Sequence, residues 1–429
     1  MKTTALTGNL ARLLLIAALG ICIPGSALAS PVYKVLYSFN GTDGTGPLGG
    51  VTPDGKGNLF GASASGGNLN ECNGYGCGLV FKLLPHANGK WSERILYSFE
   101  GGDDGAGPYG KLIQDASGTL YGTTTGGGNG TYHDDTVFQL TPGAGGWNET
   151  ILFDFDFYDG AVPYAGVIMD AAGNLYGTTA SSADGGIVFQ LSPGSGGWQE
   201  SILYTAAGTD AGVILDGSGN LYGTTEEGGA YNDGTVYEIE RTATGWKEKV
   251  LHSFDPNGKD GVTPGGGALF MDGAGSLYGT TVGGGTSECG GAAHRRPARQ
   301  PPSKAIGNCG TVFRLTKGGD GGWTETILYD FKGGASGYFP GAGVVMDKAG
   351  NLYGTAALGG EPFCDCGVIY KLAPGPKGKW TYTVLHEFGN GDDGGVPAGN
   401  LVMDGKGNLY GGTVLGGTYG GGVIFELTP

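Results

Sequence analysis

The residues best suited to chemistry are acids that recur in one short phrase. Asp-Gly-x-x-Pro occurs at Asp43, Asp104, Asp159, Asp260 and Asp393, and further acids adjoin some copies, as in Asp103-Asp104, Asp392-Asp393 and Asp154-Phe155-Asp156. Carboxylates gathered on one face would suit Ca²⁺, a hard ion that takes oxygen ligands. Two of them at a suitable separation would suit hydrolysis of a glycosidic bond, which needs only a pair of acids. The phrase also reads as plain turn chemistry, since Asp-Gly is a turn pair, and it does not follow EF-hand spacing. The five acids are the candidate ligand-binding set, Ca²⁺ is the one cofactor they would take, and the metal assignment stays open. No residue qualifies as catalytic, because neither G-x-S-x-G nor H-E-x-x-H is present. His252 and His386 stand where other repeats have Tyr37, Tyr97, Phe153, Tyr204 and Tyr329, so they read as packing rings, while His86, His133 and His294 fall in separate loops.

Six cysteines form three local pairs: Cys72 with Cys77, Cys289 with Cys309, and Cys364 with Cys366. The second member always directly precedes a glycine, Gly78, Gly310 or Gly367. An even count in an exported chain reads as disulfides, and the shared position favours local pairing over the many alternatives. A ring closed by Cys364 and Cys366 is strained, and a zinc site is disfavoured by the separation of the pairs and the lack of companion histidines. Between Cys289 and Cys309 lies the insertion 290–308, with His294-Arg295-Arg296-Pro297-Ala298-Arg299 and Lys304. This basic cluster reads either as a mobile insertion pinned by one disulfide or as a contact for an acidic partner.

The elements that carry these residues come from a repeat. Asp-x-x-Gly-x-Leu-aromatic-Gly occurs seven times, with its aromatic at Phe60, Tyr121, Tyr176, Tyr222, Tyr278, Tyr353 and Tyr410. That period is the size of one propeller blade. Each unit holds four short apolar runs, here strands a to d; in the second unit they are 111–114, 120–124, 136–140 and 151–155. They are rich in β-branched and aromatic residues, bounded by Gly, Pro, Asp and Asn, and too short for helices. The expected fold is therefore all-β, a seven-bladed β-propeller with four antiparallel strands per blade. The first strand d, 32–39, precedes any strand a, and the last unit ends after strand c. The N-terminal strand must then complete the seventh blade, or an unpaired edge would remain.

Strand parity places the Asp-x-x-Gly turns (Asp54, Asp115, Asp170, Asp216, Asp272, Asp347, Asp404) on one face. The b–c loops and the d-to-a crossovers, which carry the Asp-Gly-x-x-Pro acids and the cysteines, fall on the other. Asp in such a turn bonds its own backbone. All six tryptophans, Trp91, Trp147, Trp198, Trp246, Trp323 and Trp380, begin strand d, and five have Glu two residues on. One Trp per blade reads as a cover for the blade edge, with a glycan-stacking ring as the functional alternative.

The Gly-Asn-Leu-Tyr-Gly-Thr-Thr phrase, followed by a Gly-rich loop and Gly-Thr-Val-Phe-x-Leu, resembles the GloVer tandem-repeat family of bacterial exported proteins. The resemblance spans nearly all of the chain after its leader. It implies a surface or secreted protein, often with a C-terminal anchoring signal, which is not visible in this sequence, and it implies no activity.

Residues 1–29 read as a signal peptide: Lys2 and Arg12, an apolar run from Leu13 to Ile23, and Ala27-Leu28-Ala29 before the cut. Residues 30–429 then form a single propeller domain, secreted or periplasmic. The net charge of −16 argues against nucleic acid and anionic lipid as partners. Gly (94) and Pro (20) would suggest disorder were the glycines not periodic. The expected function is a monomeric, non-catalytic binding or scaffold propeller for an extracellular glycan, cation or protein, bound on the variable crossover face. The alternative is a carbohydrate-active hydrolase or lyase using acids near the axial opening. Non-reducing digestion and mass spectrometry should return the three local disulfides, each contributing no more than about 3 kcal/mol. Free thiols or inter-blade links would remove the pairing.

Overall fold

Three consecutive residues of the repeated phrase build each blade. In the computed structural model Leu120 is fully buried, the Tyr121 hydroxyl donates back to Asp115 Oδ2 at 3.2 Å, and Gly122 leaves room for the Phe138 ring of strand c. A Cβ on any of the seven equivalent glycines would fall 2.3 to 2.6 Å from that ring or its hydroxyl. Substitution there would push a fully buried aromatic out of place. Where Phe60 replaces the tyrosine, Lys82 lies 4.8 Å from its ring centre and reaches Asp54 Oδ2 at 3.5 Å, restoring the link to the turn.

The turn acids do what the turn requires. Asp170 Oδ1 accepts from the N–H groups of Ala172 and Asn174, both at 2.9 Å, and Oδ2 accepts from Asn174 Nδ2 and Tyr176. Burial alone would raise these carboxyls, but the hydrogen bonds outweigh it and hold Asp54, Asp115, Asp170, Asp272, Asp347 and Asp404 below the ordinary value.

The structure describes residues 30–127, 135–156, 158–183, 185–206, 208–257, 259–289, 309–360 and 364–429, arranged as seven blades of antiparallel strands. The leader, His133 and the basic insertion 290–308 lie outside the described residues. The first blade runs Val51–Pro53, Leu59–Ser63, Leu79–Pro85, Trp91–Ser98 from inner to outer edge. The last runs Gly395–Met403, Leu409–Leu415, Val423–Thr428, and ends on Val32–Ser38. Val32 pairs with Thr428 and Ser38 with Val423, so the ring closes by its N-terminal strand.

Strand a is shorter than its sequence suggests: Ile113–Gln114 in the second blade rather than 111–114. The residues before it turn aside to pack on the neighbouring blade. An added Cβ on Gly166 would lie 1.9 Å from Lys111 O, and one on Gly267 1.8 Å from Gly343 N. Thr123, Thr178 and Thr280 on strand b then donate to Ala165, Ala211 and Ala342 carbonyls of the following blade, at 2.9 to 3.1 Å.

Strand d carries a β-bulge at the same step in every blade, between Ile151 and Phe153 in the second. The extra residue, a leucine, turns inward: Ile95 is 41% exposed and Leu96 8%. A bulge re-aims the next side chain as well. Each Trp is half-buried against the strand-b aromatic of the preceding blade, as Trp147 is 6.2 Å from Phe60 and Trp246 6.1 Å from Tyr176. That is the edge-covering role. Deleting residues 30–39 should bare Val423–Thr428 and lower the melting temperature or drive association, measured by thermal melting and size-exclusion chromatography. A variant that melts and elutes like the parent would show that closure is dispensable.

Candidate functional site

The crossover acids are not brought together; each is held within its own crossover. Asp43 accepts from Asn40 N at 2.7 Å and Tyr37 Oη at 2.7 Å. Asp104 accepts from Glu100 N at 2.6 Å and from the Tyr97 hydroxyl, and Asp159 from Asp156 N at 2.7 Å. Asp260 meets Asp255 N at 3.0 Å and His252 Nε2 at 3.1 Å. Asp393 accepts from Gly389 N at 3.0 Å and lies 3.2 Å from His386 Nε2. At four of the five acids the strand-d ring that the bulge re-aims is therefore a partner, while Phe153 before Asp159 has no polar atom to offer. His252 and His386 do more than pack: they take the tyrosine's place beside the carboxylate.

A second acid completes this seam. The Glu of Trp-x-Glu on the following blade faces the same crossover: Glu93 Oε2 lies 3.4 Å from the Tyr37 hydroxyl that also serves Asp43. Burial first, then the charge of the facing Asp, pushes Glu93 up to about 8 (Asp43), Glu149 to about 7 (Asp104) and Glu200 to about 8 (Asp159), and burial, then the hydrogen bond and charge of Asp260, pushes Glu325 to about 9. Glu248 is raised by burial alone. In all five, Oε1 is buried with no hydrogen-bond partner. Blades six and seven have tyrosine here instead. Tyr382 stacks on Tyr329 at 4.0 Å and Tyr33 on His386 at 3.8 Å.

The cysteines join as Cys72–Cys77, Cys289–Cys309 and Cys364–Cys366. Each bridge sits under the crossover that leaves its blade. Gly101 leaves room for both sulfurs of the first and Gly333 for Cys289 Sγ, and Cys364 Sγ lies 3.5 Å from Phe388 O. The bridges set crossover shape on this one face.

Chemistry-bearing side chains converge elsewhere, round the axis. At the step after the crossover proline the ring holds Leu48, Tyr109 and Tyr164, then Asp210 on the proline-free link, whereas the sixth and seventh blades have Gly341 and Ala398. The Tyr109 and Tyr164 rings meet edge to face at 5.2 Å. Tyr164 feels burial, then the charges of Asp210, Asp135 and Glu226, and its hydroxyl is raised. Burial raises Asp210 and lowers Lys111, two residues beyond Tyr109. Glu226 Oε1 reaches toward Gly265 of the fifth blade, where an added Cβ would lie 3.1 Å away. Tyr109, Lys111, Tyr164 and Glu226 escape a sequence search that follows what repeats. Their signal is departure from the repeat.

A family model described as the Gloeobacter/Verrucomicrobia repeat matches residues 26–214 and 302–429. No curated protein matches. Among solved structures, a candidate 6-phosphogluconolactonase from Bacteroides uniformis is 13% identical, covering 83% of this chain and 89% of that one, with a TM-score of 0.48. A candidate oxidoreductase (glucose dehydrogenase) from Thermus thermophilus is 14% identical, covering 93% and 100%, with a TM-score of 0.43. At these levels neither likeness speaks to chemistry.

The seam fixes a pH dependence. A carboxyl raised in the fold binds more protons there than in the unfolded chain, so stability falls as pH rises from about 4.5 through about 8. The depressed turn acids act oppositely, losing their contribution as pH falls below their ordinary value of 3.8. The melting temperature should therefore peak in mild acid and be lower at about pH 9 than at about pH 5.5. Glu200→Gln, neutral throughout, should flatten the alkaline fall; an unchanged slope would place the titration elsewhere.

Proposed function

The chain belongs to the Gloeobacter/Verrucomicrobia repeat family, and from that premise we propose that it is an exported carbohydrate-binding propeller that takes its ligand at the axis, on the crossover face. The observation that carries this reading is the broken symmetry of the inner ring. Tyr109, Tyr164 and Asp210 stand where other blades place leucine, alanine or glycine, and Lys111 and Glu226 adjoin them.

The chemistry fits a hydroxyl-rich ligand. Tyrosine rings offer flat apolar faces to the C–H side of a sugar, with a hydroxyl at the tip. Asp210 and Glu226 accept from sugar hydroxyls, and Lys111 supplies a donor. A few polar groups among aromatic walls is the usual make-up of a small-ligand site. The glycine contacts of the inner strands hold these groups rigidly, which lowers the ordering cost of binding. The crossover acids and the disulfides shape the surrounding face.

Export is supported by the leader sequence and three disulfides. Among the described residues no helix is long and apolar enough to cross a membrane. Net charge disfavours nucleic acid, and the ring closed on itself suits a monomer. A second reading, glycoside hydrolysis, has one observation in its favour: a half-buried Asp210 beside the tyrosines, its pKa raised by desolvation, is suited to hold a proton for a leaving group.

A glycan array paired with a polysaccharide turnover screen tests both. Tyr109→Ala with Tyr164→Ala should weaken glycan binding at least about tenfold, the loss of two aromatic faces. Asp104→Asn with Asp393→Asn should lower the melting temperature and leave binding in place. Binding by the tyrosine double variant at parental strength would overturn the axial site. Turnover abolished by Asp210→Asn would replace binding with hydrolysis.

A further inference from the structure

One blade seam differs from the other six in a way that changes its chemistry. Between the fourth and fifth blades, His252 Nε2, an oxygen of Asp260 and an oxygen of Glu325 all lie within 4.8 Å of one another. We propose that this triad is a binding site for a divalent transition-metal ion, Zn²⁺ being the best fit, separate from the axial site.

The molecule provides its own comparisons. The seams at Tyr97, Asp104 and Glu149 and at Phe153, Asp159 and Glu200 have both carboxyls but no imidazole. The seam at His386 and Asp393 has the imidazole but Tyr33 in place of the glutamate. Among the described residues only the His252 seam unites all three donors. One imidazole nitrogen with two carboxylate oxygens leaves a fourth, tetrahedral position for water, and a mixed nitrogen and oxygen set suits Zn²⁺ better than Ca²⁺ or Mg²⁺.

The surroundings prepare the ligands. Asp260 Oδ1 accepts from Gly261 N at 2.7 Å and Oδ2 from Asp255 N at 3.0 Å, so its carboxylate is fixed by backbone. The His252 ring is set edge-on against Phe254 at 4.8 Å. Glu325 Oε1 is buried with no hydrogen-bond partner, so its carboxylate keeps an unsatisfied oxygen. The histidine side chain is 20% exposed, which leaves a path for the ion.

The test uses the full chain without a histidine tag, stripped with chelator and titrated with ZnCl₂ by calorimetry at about pH 7. One ion should bind per chain, and X-ray absorption should show a single imidazole in the shell. His252→Tyr, which restores the residue used at positions 37 and 97, should weaken binding by about 100-fold, and Glu325→Gln by at least about tenfold. His386→Tyr should leave it unchanged. The melting temperature of each metal-free variant, close to the parent's, shows that the fold survives. Zinc binding that persists in His252→Tyr, or no binding by the parent, would overturn the site.

Discussion

A closed ring of blades demands that neighbouring inner strands approach more closely than side chains allow. Backbone from one blade lies against backbone of the next at Gly49, Gly110, Gly166, Gly267 and Gly399, where a single added carbon would fall 1.8 to 2.5 Å from its neighbour. The same demand recurs inside each blade, where the strand-b glycine receives the ring of strand c. The glycine content that would ordinarily signal disorder is here what lets the sheets touch. The short strand a, the threonine bonds to the next blade and the axial position of Tyr109 and Tyr164 all follow from that contact.

Further out the packing is looser and the chemistry richer. Five of the seven outer seams are filled by an aromatic or imidazole ring, a crossover carboxylate and a Glu or Tyr from the next blade, with substitutions that change the charge. Paired acids are a poor way to gain stability, because one must hold its proton where water is scarce. Their recurrence in four seams marks a geometric unit copied with the blade rather than four independent optimisations.

Much of this is legible in the residues alone. Seven Leu-aromatic-Gly phrases, and a strand d that comes before any strand a, lead directly to seven blades and a borrowed closing strand. The turn acids, the tryptophans and the local cysteine pairs are readable because each is a short-range device repeated in register. The seam is harder, although both halves are visible: Trp-x-Glu and Asp-Gly-x-x-Pro each stand out, but they meet only between blades, about a full repeat apart. His252 looks like a packing ring because its position repeats; its meeting with Glu325 depends on a contact 73 positions away. The axial cluster is hidden for the opposite reason. Tyr109, Lys111 and Asp210 break the pattern, and a search for regularity treats such residues as noise.

The closing pair of strands also sets how the ring answers to force. Val32 faces Thr428 and Ser38 faces Val423, so Val32 and Thr428 lie side by side at one end of the same antiparallel pair. Tension between these two residues would load the ladder one rung at a time, opening it as a zipper rather than shearing all rungs together. Because the zipper lies on the outer edge, it would separate before any inner glycine contact is strained. A pull on these two residues would thus free one strand and leave the remaining sheets stacked, a mechanical fuse built from the way the circle is closed.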